Sequence, residues 1–122
     1  AGHSLGGTAM ATYANHHDKP HHKIDGIIFL ASYPTPFIEN LRNDPYQVVS
    51  IYATEDGLTS ISDIENSKKL LPEDTRFVEI EGGNHAQFGY YGEQNGDNPA
   101  AISREEQQSI IMQEFYRLLS SI

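Results

Sequence analysis

The stretch that most constrains this chain is its first seven residues, Ala1-Gly2-His3-Ser4-Leu5-Gly6-Gly7. Gly2-x-Ser4-x-Gly6 has the spacing of a tight corner between a β-strand and an α-helix. Such a corner strains the backbone of its serine and lifts the hydroxyl above the sheet edge. Side chains at Gly2 and Gly6 are expected to clash where strand and helix close, so both glycines read as steric requirements. Three fixed residues in five also recur by chance, and a plain Gly/Ser loop carries the same letters. The rest of the chain has to decide.

Composition narrows the classes. The 122 residues are one domain's length, enough for a single core. Hydrophobic residues make up 38% and charged residues 20%, which suits a packed domain rather than a disordered tail. No stretch approaches the ~20 apolar residues of a membrane-spanning helix. Cysteine is absent, which excludes a disulfide scaffold, a zinc–cysteine site and a cysteine nucleophile. The net charge of -9 repels phosphate backbones and anionic lipid, so neither nucleic acid nor membrane is expected as a partner.

After the corner, residues 4–15 read as a helix with small and apolar faces, suited to close packing on a sheet. His16-His17-Asp18-Lys19-Pro20-His21-His22 reads as an exposed loop. Residues 24–33 contain the apolar run Ile27-Ile28-Phe29-Leu30-Ala31, as expected of a strand covered on both faces. Residues 37–42 read as a short helix or loop. Residues 47–53 form the next strand, ended by Glu55-Asp56-Gly57. Residues 60–71 read as a helix, with Ser62 and Glu65 at capping-box spacing and Ser60 as an alternative cap. Residues 76–81 alternate apolar and charged side chains, the mark of a strand near a sheet edge. Residues 86–102 form a loop long enough to suggest function. Ser103 and Glu106 open the last helix, with Ile110, Ile111, Phe115, Leu118 and Leu119 as its buried stripe. The alternation implies an α/β class with three parallel strands and flanking helices.

In such a fold the loops at the carboxyl ends of parallel strands collect on one edge. Ser4, Asp56 and His85 each follow a strand, so all three fall on that edge. A serine hydroxyl needs a base to become a nucleophile, and a histidine supplies one when a carboxylate orients it. Ser4 is thus a nucleophile candidate, His85 the base and later the acid, and Asp56 the orienting group. The backbone N–H of Leu5, opening the helix, would stabilise an oxyanion. His3 adjoins Ser4, so the two side chains diverge and His3 reads as a packing or rim residue. Glu55 is the rival acid, but one residue earlier it faces the other way, so Asp56 is preferred. Tyr33, Phe88, Tyr90 and Tyr91 lie on loops of the same edge and line either a pocket or merely the loops. His16, His17, His21 and His22 have no spacing that orients them on a metal, and Asp97-Asn98 lacks a full calcium pattern. No metal and no organic cofactor is expected.

These residues resemble the α/β-hydrolases, and more narrowly a bacterial dienelactone-hydrolase-like group of serine hydrolases. The likeness rests on Gly2-His3-Ser4-Leu5-Gly6-Gly7, on residues 25–34, on Ser50-Ile51-Tyr52-Ala53-Thr54-Glu55-Asp56-Gly57, on residues 78–89 with Gly82-Gly83-Asn84-His85, and on Ser103-Arg104-Glu105-Glu106-Gln107-Gln108. It implies the chain order nucleophile, acid, base for Ser4, Asp56 and His85, and hydrolysis of a small-molecule carboxylic ester through an acyl-enzyme. Dienelactone hydrolases proper use cysteine, so their substrate does not carry over to Ser4.

With one residue before Gly2, the strand that feeds the corner is expected upstream. The chain then reads as the C-terminal part, residues 1–122, of a single α/β-hydrolase domain, lacking the N-terminal half of the sheet and the second oxyanion donor. A fragment of this kind is expected to be poorly active alone. Its bared sheet edge would pair with a missing N-terminal segment or a second copy. A non-catalytic binding or interaction domain on the same scaffold is the alternative class.

Overall fold

A computed structural model of the chain describes residues 1–19, 21, 23–37 and 39–122. Pro20 and His22 of the expected histidine loop, and Ile38 of the 37–42 segment, lie outside the described residues. Strand β1 (Gly2–His3) leads into helix α1 (Leu5–Tyr13), followed by β2 (Gly26–Leu30), β3 (Gln47–Ala53), α2 (Ile61–Ser67), β4 (Arg76–Ile80) and α3 (Arg104–Ser121). All strands are parallel, in the order β1-β2-β3-β4. The sheet has four strands where three were expected, because Gly2 and His3 pair with Phe29 and Leu30. Strand β4 lies at an edge, in keeping with its charged alternation.

The apolar run in β2 is continuous because both of its faces are covered. Ile27 and Phe29 point into a cluster with Ala11, Ala14, Leu41, Tyr46, Val48 and Leu71. Ile28 points the other way, into a cluster with Val49, Ile51, Ile80, Phe88, Ile111 and Leu118. Phe29 has no exposed surface, and truncating such a ring to alanine costs about 3–5 kcal/mol. The two clusters fix the sheet between α1 and α3, and with it the edge where the loops gather.

Several local readings need correction. Helix α1 continues into a π-helical turn over Ala14–Asp18, which takes in His16, His17 and Asp18 where a loop was expected. Asp18 is buried there, because its carboxylate accepts from the Lys23 and Ile24 N–H groups and from the Tyr46 hydroxyl. Helix α2 starts two residues earlier than a Ser62 cap requires. Ser60 is the cap, and Asp63 completes the reciprocal box. In α3 the buried positions are Gln107, Ile111, Glu114 and Leu118, whereas Leu119 is 62% exposed. Ile110 and Phe115 also pack against the core that holds Ile111 and Leu118, so only Leu119 departs from the expected stripe, and the buried Glu114 pairs with Arg76 at 2.6 Å.

Candidate active site

The Ser4 corner is built from close backbone approach. A Cβ on Gly2 would lie 2.6 Å from Gly6 O, Gly7 Cα and Gly7 N. A Cβ on Gly7 would lie 2.1 Å from Ser32 Oγ, whereas one on Gly6 would meet nothing within 4 Å. The tight pair is thus Gly2 and Gly7, and the expected clash at Gly6 is absent because that position faces open space. Ser4 itself takes φ 54° and ψ -124°, outside the ordinary regions for a side-chain-bearing residue. Strain of this kind costs on the order of 1–3 kcal/mol and persists only where the surroundings hold it. Here the Ser4 N–H donates to Leu30 O at 3.1 Å, and the buried Ser32 hydroxyl donates to Ser4 O at 2.7 Å.

Leu5 opens α1, so its N–H belongs to the first turn, where no intrahelical carbonyl is available. The helix dipole adds partial positive charge at the same point. An oxyanion beside Ser4 would meet that end of the helix.

Asp56 and His85 come from the loops after β3 and β4. Asp56 Oδ2 lies 2.8 Å from His85 Nδ1, with the two side chains 1% and 2% exposed. The other oxygen, Oδ1, accepts from the Leu58 and Thr59 N–H groups, both at 2.8 Å. Such an aspartate turn is a local motif that Asp-x-x-Thr spacing announces. A carboxylate only accepts, so His85 Nδ1 donates to Asp56, and the matching neutral tautomer is the one with Nε2 as acceptor. Glu55 instead uses its backbone N–H to hold Gly83 O at 2.8 Å. Among the described residues, no hydrogen bond joins the Ser4 hydroxyl to His85. The structure therefore brings Asp56 and His85 together and leaves Ser4 on the same edge without a direct bond. Catalytic hydrogen bonds often close only when substrate binds.

The flanking side chains sort into two groups. The His3 ring lies 4.6 Å from that of His85, tilted by 40°, and stacks against Phe88 and Tyr91 at 5.6 Å between ring centroids. The Tyr91 hydroxyl bonds His3 Nδ1. Burial, reinforced by the neighbouring His85, drives the His3 imidazole down to about 4, so it is neutral at pH 7. Phe88 is buried and joins the α3-side core. Tyr33 sits after β2, where burial and then the Asp63 carboxylate push its phenol up. Tyr90 is 74% exposed, with the Arg104 guanidinium 5.2 Å above its ring, so it faces solvent rather than His85.

The roles of two residues of this region escaped the sequence reading. Gln107 on α3 has no exposed surface; its Oε1 accepts from the Asn84 N–H at 3.2 Å and its Nε2 donates to Asn84 O at 2.9 Å. It clamps the residue before His85. Its signal is a glutamine on the inward face of a helix, four residues before Ile111. Asp97 accepts from the N–H groups of Gly57, His85 and Ala86. Burial raises its carboxyl, but the backbone donors Ala86, Gly57, His85 and Asn98 outweigh that and hold it below the usual value. Among the described residues, no group of three or more His, Asp or Glu is placed to share a metal.

The model of the alpha/beta hydrolase family matches residues 1–109 of this chain. No curated protein and no solved structure matches it.

Proposed function

The chain belongs to the alpha/beta hydrolase family, and on that premise we propose that it is a serine hydrolase cleaving carboxylic esters through an acyl-enzyme. Ser4 is the nucleophile. Its Oγ attacks the ester carbonyl carbon as the hydroxyl proton passes to His85 Nε2. Asp56 holds the imidazole in the required tautomer and offsets its positive charge. The developing oxyanion accepts from the Leu5 N–H, a kind of contact worth roughly 10²–10³ in rate. The tetrahedral species then expels the alcohol, which takes the proton back from His85. Water repeats the cycle on the acyl-serine and releases the acid. Tyr33 and Phe88 flank the path to Ser4, and Tyr90 forms an outer rim.

The single observation that supports this reading most is the buried Asp56–His85 contact at 2.8 Å, made by loops after adjacent strands. A buried histidine–carboxylate pair has to be held by its surroundings, and here it lies on the edge that carries a strained serine. A burst of p-nitrophenol from p-nitrophenyl acetate by the complete protein, abolished by Ser4→Ala, is the expected result. Turnover that survives Ser4→Ala in folded protein would defeat the assignment.

One observation favours a second reading, a non-catalytic binding domain: the Ser4 hydroxyl makes no hydrogen bond to His85. On that reading the folded, complete protein releases no p-nitrophenol above the Ser4→Ala background.

A further inference from the structure

We propose that Asp97 is a positioning residue, whose one carboxylate pins the loop of Asp56 to the loop of His85 and so sets the imidazole against its partner. The proposal rests on the hydrolase reading above and deepens it. Asp97 Oδ1 accepts from the N–H of Gly57, the residue after Asp56, at 3.1 Å. The same oxygen accepts from the N–H of His85 itself at 3.2 Å. Oδ2 accepts from the next N–H, that of Ala86, at 2.8 Å. One side chain therefore touches the backbone of both loops at the positions that carry the pair.

The rest of the local geometry explains why those loops need such a pin. Upstream of the pair, the loops are already stitched together. The Gly82 N–H donates to Thr54 Oγ1 and the Glu55 N–H to Gly83 O, both at 2.8 Å. These bonds lie before Asp56 on one side and before His85 on the other. Downstream, the 96–98 segment bridges the two chains that leave the pair. It packs so closely that a Cβ on Gly57 would fall 2.2 Å from Gly96 O. The Asn84 amide donates to Asn98 O at 2.8 Å, holding the same segment against the His85 loop. Hydrogen bonds to an ionised acceptor are roughly twice as strong as neutral ones, so a carboxylate suits this role where an amide would not. Asp97 fixes the backbone under His85 and has no contact with the imidazole nitrogens, so its influence on chemistry runs through His85.

The test compares Asp97→Asn with the complete wild-type protein, and uses Glu114→Gln as a control. Glu114 pairs with Arg76 at the start of β4, the strand end opposite the loops, so its loss lowers stability without touching the pair. Two quantities are read: kcat and KM for p-nitrophenyl acetate, and the low-field proton resonance of His85 Nδ1–H in substrate-free protein. Misplacing a catalytic group by about 1 Å costs about 10²-fold in rate. Asp97→Asn is therefore expected to lower kcat by about that factor, to leave KM within about twofold, and to shift or broaden the resonance. Glu114→Gln is expected to lower the melting temperature while keeping kcat and the resonance. Asp97→Glu, which keeps the charge, should recover part of the lost kcat. If Asp97→Asn does not fold, Asp97→Glu carries the test, with a kcat below wild type and a displaced resonance as the expected result. A folded Asp97 variant with kcat within about twofold of wild type and an unmoved resonance overturns the proposal. If wild type turns over no ester, the hydrolase reading fails separately. The resonance, read without substrate, then decides the positional claim by the same criterion.

Discussion

The two halves of the candidate site are held in different ways. The Ser4 half is a steric construction: Gly2 and Gly7 let strand and helix meet, and Ser32 closes over the carbonyl of Ser4. The Asp56–His85 half is a polar construction: the Asp97 and Gln107 side chains bind backbone groups of the two loops, the Thr59 N–H donates to the Asp56 carboxylate, and the Asn84 amide donates to Asn98 O. Close packing punishes added atoms, because dense interiors do not give way. Polar networks punish lost partners, because a buried orphan keeps its full desolvation cost. The same edge of the sheet should thus fail by insertion on one side and by deletion on the other.

The largest expected effect tests the polar side. Asp56→Asn keeps the shape but lets His85 adopt the wrong tautomer, so ester turnover should fall on the order of 10⁴-fold. Circular dichroism melts would show whether the fold survives, and near-wild-type turnover would contradict the assignment of Asp56. Next comes the steric side. Gly2→Ala places a Cβ against backbone that cannot yield, and should cost about 3 kcal/mol or more in urea unfolding. Gly6→Ala, by contrast, should stay within about 0.5 kcal/mol of wild type. Equal effects at the two glycines would refute the packing account of the corner.

Gln107→Ala should cost less, about 1–3 kcal/mol, by leaving buried Asn84 backbone groups unpaired. Its kcat should fall more than its KM rises, which steady-state kinetics would reveal. The smallest effect belongs to His3. Its folded pKa of about 4 lies below the unfolded 6.5, so the unfolded chain takes up a proton that the folded one refuses. Stability should therefore be intact above about pH 6.5 and decline as pH falls toward about 4. Urea midpoints across that range would trace the decline, and His3→Phe should flatten it.

What the sequence made legible follows the same division. Strand β3 is read with its observed bounds, and the loops of Ser4, Asp56 and His85 come to one edge, because periodicity and turn residues are local signals. The roles of Asp97 and Gln107 are not local. Each acts by a side-chain bond to backbone of a distant segment, and no period or spacing encodes such a bond. Gly7 replaced Gly6 as the second tight position because the answer depends on Ser32, a residue from the next strand's loop. The turn at Ala14–Asp18 was misread for a related reason. A charged, histidine-rich stretch looks solvated until Tyr46 and two backbone N–H groups meet Asp18. On α3, Ile110, Ile111, Phe115 and Leu118 pack into the core as their spacing suggests, whereas Leu119 is exposed and the buried Glu114 pairs with Arg76, a contact that no local pattern announces.

The central claim is that Ser4 is activated by a His85 that Asp56 orients. Fluorophosphonate labelling of the complete protein, followed by peptide mass mapping, tests it most directly. The account predicts a single adduct on Ser4, lost in Ser4→Ala and strongly slowed in His85→Ala. Folded protein that takes up no probe, or takes it up at Ser4 with equal speed when His85 is replaced, would contradict it.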